Sequence, residues 1–247
     1  MSSNLDTYVQ RSRPLPEPIS TSQEVRDRGS TFIANIYRAT NLADARNCTN
    51  HLRNVVHASK PATHEISAWR FMSLKKGKTG LGGPDDFKLE SGCNDDDEQW
   101  AGGKVLKVME GQAIIDAVVI VSRWYGGIML GPARFSHIET CALEVCHSFK
   151  RKEELDECIL ALNTLDDTLA ELRRELTELT AQDKGDRDES QPFDKTSRTR
   201  KHPNYSEMTE TDLPKAKRLV LARENAISSV KKLIAKHREA TVTPATK

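Results

Sequence analysis

Residues 117–135 read AVVIVSRWYGGIMLGPARF, and their order of residue types is that of a strand, a turn and a helix start. The run 117–122 is the most apolar and β-branched in the chain, which predicts a strand in the middle of a sheet. Gly126, Gly127 and Gly131 permit positive φ and close backbone approach, so a tight turn follows. Pro132 suits the first position of a helix and predicts one beginning there.

The flanking segments extend the same alternation. In residues 31–37 (TFIANIY), Phe32, Ala34 and Ile36 alternate with more polar positions and predict a strand. Between Asn41 and His57 the residues Leu42, Ala45, Leu52, Val55 and Val56 fall at helical spacing, and Pro61 closes that helix. Residues 66–74 (ISAWRFMSL) predict a second strand. Residues 75–94 carry five Gly and Pro84 and predict a long loop with room for an edge strand. Residues 100–110 fit a helix with Leu106 and Met109 inward and Gly111 as its stop. Strands alternating with helices give an α/β fold, as an α+β two-layer sandwich.

Composition limits how far that domain extends. Only 37% of the 247 residues are hydrophobic and 5% aromatic, enough for one modest core beside solvated helix or linker. Lysine plus arginine is 37 against 36 acids, so the chain as a whole is no polycation. No apolar run approaches the ~20 residues that cross a bilayer, and the first twenty residues lack a signal-peptide core. Five cysteines without metal spacing read as reduced thiols of a cytoplasmic protein.

Past the domain the charge separates. Residues 151–180 hold 4 basic and 9 acidic side chains, and residues 214–247 hold 9 and 2. Leu155, Leu162, Leu169 and Leu176 fall seven apart, with Cys158, Leu165, Leu172 and Leu179 three after each: a coiled-coil seam. A second amphipathic helix starts near Pro214, with Val220, Ile227 and Ile234 beside Leu219, Ala226 and Leu233. The arms are expected to pair as an antiparallel hairpin, or to pair with a partner or a second copy through 155–179. The expected organisation is a disordered lead-in at 1–19, the α/β domain at 20–147, a coiled-coil helix at 148–180, a flexible linker at 181–213 and a basic helix at 214–240.

Three clusters could carry chemistry: residues 62–65 (ATHE), 95–104 (DDDEQWAGGK) and the turn 122–135. Acids ahead of a helix cap free N–H groups and favour the positive end of its dipole. Asp95, Asp96 and Glu98 with His64 would also suit Mg²⁺ or Mn²⁺, but no diagnostic spacing supports a metal, and none is expected. Arg123, Arg134 and the following helix start could receive an anion, although neither GxGxxG nor GxxxxGK[ST] is present and no cofactor is expected. The plainer reading is a tight turn anchored by Trp124 and Tyr125. Cys141, Cys146, His137 and His147 share a predicted helix without a nucleophile–base pair, so the thiols read as core or interface residues.

ATHEISAWRF, DDDEQWAGGKVL and above all VVIVSRWYGGIMLGPARF, with VRDRGSTFIANI upstream, resemble the IMPACT family, whose bacterial relatives include YigZ. The resemblance covers roughly residues 20–147. It implies a fold like the second domain of ribosomal protein S5 and, for eukaryotic members, a regulator of translation under amino-acid starvation. Such members restrain the kinase that phosphorylates the alpha subunit of initiation factor two by competing for the kinase's activator, and they bind actin monomers. Eukaryotic relatives carry an RWD domain that contacts the activator; the residues ahead of the resemblance are too few for one, so another surface would have to supply that contact. Two departures are local: the usual ATHN ends in Glu65, and the usual DDGE has Asp97 in place of glycine, at a position where positive φ would favour glycine.

Three functions compete on these residues. The first is a non-enzymatic binding module presenting His64, Asp95, Asp96, Glu98, Arg123, Tyr125, Gly126, Gly127 and Arg134 to a protein partner. The second is an RNA- or ribosome-associated module using the basic 214–247 arm. The third is a metal-assisted hydrolase built on the acidic run and His64. The lack of a catalytic set and the coiled-coil seam favour the first.

Overall fold

The computed structural model describes residues 15–182 and 203–242, and the chain divides into two compact units, Met1–Lys150 and Arg151–Lys247. In the first unit the strands are β1 (Ser20–Thr21), β2 (Val25–Asp27), β3 (Ser30–Arg38), β4 (His64–Leu74), β5 (Phe87–Asn94) and β6 (Ala117–Trp124). They form one antiparallel sheet in the order β1-β3-β6-β4-β5, with β2 also paired to β3. The helices are α1 (Leu42–His51), α2 (Ala101–Gly111) and α3 (Ala133–Gln182), the last running on into the second unit.

β6 is central and buried on both faces, as its apolar run predicts. Ala117, Val119 and Val121 join Val105 and Met109 of α2 and Ile138, Cys141, Val145 and Phe149 of α3 in the larger core. Val118 and Ile120 point the other way, into a smaller core with Tyr37 and with Ala45, Cys48 and Leu52. Period-two alternation along one strand therefore builds both cores. Cys141 and Cys146 are fully buried, and His137 pairs with Asp27 at 2.9 Å rather than with either thiol.

Two local expectations change. The helix over 41–57 is not uniform: α1, capped by Asn41 accepting from Asp44 N at 2.9 Å, gives way to a π-helical turn at Leu52–Val56. The wider turn breaks the 3.6-residue period, leaving Val55 and Val56, which the spacing places inward, more than half exposed. Residues 87–94 of the expected loop form the full edge strand β5, held in register by Met72↔Leu89 and Leu74↔Phe87.

In the second unit, α3 beyond Lys150 packs with α4 (Leu213–Val242), which begins at a 3₁₀ turn whose Thr209 and Asp212 form a capping box. Glu154 meets Lys217 and Glu175 meets Arg238, each at 2.6 Å. Both sequence positions rise together, so the helices run parallel and the antiparallel hairpin is overturned. Thirty residues separate Gln182 from Leu213, ample chain to span a helix of ~45 Å, whereas a hairpin needs only a short turn. Leu155, Leu162 and Leu169 are buried as the heptads predict, and the seam expected to serve a second copy is met within the chain by α4. On α4 the seam is Leu213, Val220, Ile227 and Ile234 with Ala216, Arg223 and Val230; Leu233, expected inside, is 49% exposed.

Residues 1–14 of the expected lead-in and 183–202 of the expected linker lie outside the described residues. Within the described part, Ile19 N already donates to Ile36 O at 2.8 Å, so the sheet begins before residue 20. No helix among the described residues is long and apolar enough to cross a membrane.

Candidate functional site

Register sets the site. β6 places Arg123 opposite His64 of β4 and Phe32 of β3, and Ser122 opposite Glu65 and Ile33. Because successive side chains alternate, Ser122 and Arg123 enter separate polar networks on the two faces of the sheet.

On the α2/α3 face the centre is Glu98, 6% exposed. Its carboxylate is bonded by Arg123 Nη1 through Oε2 and faces Arg134 Nε at 2.5 Å through Oε1, with His64 Nε2 3.7 Å away. Arg123 is itself 5% exposed and lies over the rings of Phe32 and Tyr125, 5.5 and 5.6 Å from their centroids. His64 Nδ1 stands 2.8 Å from the Asp96 carbonyl, which only accepts, so that nitrogen carries a proton.

On the α1 face Glu65, 1% exposed, accepts from Ser122 Oγ at 2.6 Å and stands 2.7 Å from His57 Nδ1. His57 packs edge-on against Trp124, whose Nε1 donates to Lys60 O at 3.0 Å. Asp96 ties the two faces: its carboxylate accepts from Glu65 N at 2.7 Å and from Arg53 Nη2 at 2.6 Å, and its carbonyl meets His64.

The acidic run is a turn that caps a helix. Asp96, Asp97 and Trp100 all have positive φ, at 46°, 65° and 68°. Asp95 makes that path pay by accepting from Trp100 N at 2.9 Å and Gly102 N at 2.7 Å, satisfying first-turn donors of α2. A Cβ on Gly102 would lie 3.0 Å from Asn94 O and from an Asp95 carboxylate oxygen, so glycine lets the cap close. Among the described residues no group of three or more His, Cys, Asp and Glu side chains could hold a metal ion.

Beyond Arg123 the chain turns through residues 125–131. Gly126 lies against Gly29, where a Cβ would come within 1.9 Å of the Gly29 carbonyl carbon. Tyr125 N donates to Thr63 Oγ1 at 3.0 Å and Gly126 N to Ser30 Oγ at 3.2 Å, tying the loop to two neighbouring segments.

These are the motif blocks of a known domain. The family model described as "Impact N-terminal domain" matches residues 28–146. That stretch is an Impact N-terminal domain. Protein IMPACT of Homo sapiens is 38% identical over 129 residues, covering 52% of this chain and 37% of that protein. Protein IMPACT of Rattus norvegicus is 36% identical over 144 residues, 57% of this chain and 42% of that protein. The matched region thus spans about two fifths of these curated relatives. A solved structure of the two-domain translational regulator Yih1 is 29% identical, with a TM-score of 0.34 over 56% of this chain and 50% of that one. A crystal structure described as a hypothetical protein is 22% identical, with a TM-score of 0.39 over 55% and 60%.

Within this Impact domain the structure brings together His64, Asp96, Glu98, Arg123 and Arg134, while Asp95 is turned to the helix cap. Arg123 and Glu98, expected on a partner-facing surface, lie inside because β6 and the start of α2 converge there. What they hold outward is the loop: Tyr125 is 43% exposed, Ile128 54% and Met129 81%, with Gly126 and Gly127 also exposed. Trp100, two residues from Glu98, is 65% exposed. Sequence reasoning named none of Trp100, Ile128 and Met129 as a contact residue; the available signal was large apolar residues standing among glycines and acids.

Proposed function

We propose that this chain is a regulatory binding protein, not an enzyme, that sustains translation during amino-acid starvation. It restrains the kinase acting on initiation factor two alpha by competing for that kinase's activator in the cytoplasm. Actin monomers are a second expected partner. The match of residues 28–146 to the Impact N-terminal domain supports the class of function. The observation that carries the binding mode is the loop 125–129, where Tyr125, Ile128 and Met129 stand in solvent next to the buried Arg123–Glu98 pair that half-buried Arg134 joins. Exposed apolar and aromatic side chains on a backbone held from beneath meet a partner at low ordering cost. Competition by mass action needs nothing more, and the carboxylates of Asp95, Asp96 and Glu98 already have structural partners.

The test is expression of the chain in amino-acid-starved cells, reading phosphorylation of the initiation factor's alpha subunit. Phosphorylation is expected to fall in proportion to the amount of protein. The double variant Ile128→Glu, Met129→Glu should lose the effect with its melting temperature unchanged. An unchanged phosphorylation level with the parent chain overturns the kinase role. The RNA reading lacks comparable support, since Lys217, Arg223 and Arg238 of the basic arm are paired with acids of α3.

A further inference from the structure

On the α1 face the helix covers only part of the sheet, and between α1 and the β4–β5 edge lies a cleft of about 420 Å³. Its floor includes Trp69, half-buried and paired across the strands with Gly92. A Cβ on Gly92 would lie 2.6 Å from Trp69 Cζ2 and 2.8 Å from Cε2, so the indole lies flat across the glycine backbone. The same side chain packs against the smaller core and lines the cleft. The α1 wall supplies Arg46, Asn50 and Arg53, and Asn94 closes the far side. Arg53 already holds Asp96 at 2.6 Å, whereas exposed Arg46 has no partner among the described residues.

A flat aromatic face, a free guanidinium and two amides that both donate and accept are the groups that recognise a base joined to a phosphate. The neighbouring concavity at residues 93–99 is lined by Asp95, Asp96 and Asp97 and repels anions, which places the negative charge at the α1 wall. The volume falls within the ~300–1,000 Å³ of small-ligand clefts. We infer that this cleft binds one nucleotide unit, its base stacked on Trp69 and its phosphate on Arg46, taken either from single-stranded RNA or as a free mononucleotide. The site uses none of the residues of the partner-binding loop and stands whether or not that reading holds.

The experiment titrates the full chain at low salt with two probes, AMP by calorimetry and a short fluorescein-labelled single-stranded RNA of mixed sequence by anisotropy. Arg46→Glu and Trp69→Leu should each weaken binding by about tenfold, the weight of one stacked base or charged contact. Lys231→Glu on α4 should leave it unchanged. Preference for the RNA assigns the site to a strand, and equal affinity for AMP assigns it to the free nucleotide; both agree with the inference. Should Trp69→Leu fail to fold, Arg46→Glu decides, because that side chain is exposed and unpaired. No binding of either probe, or binding indifferent to Arg46→Glu, overturns it.

Discussion

Ser122 and Arg123 are neighbours in β6, yet Ser122 Oγ donates to Glu65 on one face of the sheet and Arg123 Nη1 donates to Glu98 on the other. Two buried carboxylates are thereby tied to one strand, and the loop that follows inherits its position from both.

Glu98 carries more of that load, because two arginines converge on it. Glu98→Ala should cost about 3–5 kcal/mol, since it leaves buried Arg123 uncompensated. Urea unfolding measures the loss. Glu98→Leu combined with Arg123→Met should recover most of it, and a double variant as unstable as the single would show that the loss is not electrostatic.

Asp97 stands at φ 65°, a left-handed conformation that glycine adopts without strain. Asp97→Gly should leave stability unchanged or raise it by up to about 1 kcal/mol, because relief of left-handed strain is partly offset by unfolded-chain entropy. Asp97→Val, β-branched, should be worse than the glycine variant by more than about 1 kcal/mol. Thermal melts of the three proteins should rank glycine, aspartate, valine.

In the second unit Arg223 sits at a seam position of α4 and meets Asp166 at 2.5 Å, while the Tyr205 hydroxyl donates to the same carboxylate at 2.5 Å. Arg223→Leu should destabilise the helix pair by roughly 1–3 kcal/mol by leaving Asp166 with half its partners. Asp166→Leu with Arg223→Leu should restore stability but loosen register, as polar seam residues specify pairing. Spin labels at 175 and 238 read this: one short distance in the parent, a broad distribution in the double variant.

Alkaline pH should weaken the first unit. Burial pushes the Cys48 thiol up to about 11, the Cys146 thiol to about 12 and the Tyr37 phenol to about 12. Each folded value lies above its ordinary value of 9.0 or 10.0, so the contribution is full below pH 9 and is lost as pH rises toward 12. Melting temperature followed across that window should fall, and less steeply in Cys146→Ala. Cys48, Cys141 and Cys146 should stay unreactive to thiol reagents in the folded protein while exposed Cys93 reacts.

How much of this was legible in the chain differs by element. The run 117–122 announced a strand covered twice, since no polar face interrupts it. The heptads from Leu155 announced a seam, since seven-residue spacing has few other uses. The π turn at Leu52–Val56 escaped, because periodicity assumes a constant 3.6 residues per turn. The site was legible as motifs but not as burial: Arg123 and Glu98 look like surface charges until the fold brings them together.

Local chemistry by itself determined the glycine turn after β6, the acidic cap before α2, the α/β alternation and the apolar seam of α3, because each depends on residues within a few positions of one another. Only the tertiary structure decided that the helical arms run parallel, that Glu98 is clasped by two arginines, that Tyr125, Ile128 and Met129 face solvent, and that Trp69 lies across Gly92. Those relationships join residues tens of positions apart, and the register of β6 against β4, and of β4 against β5, is what sets them side by side.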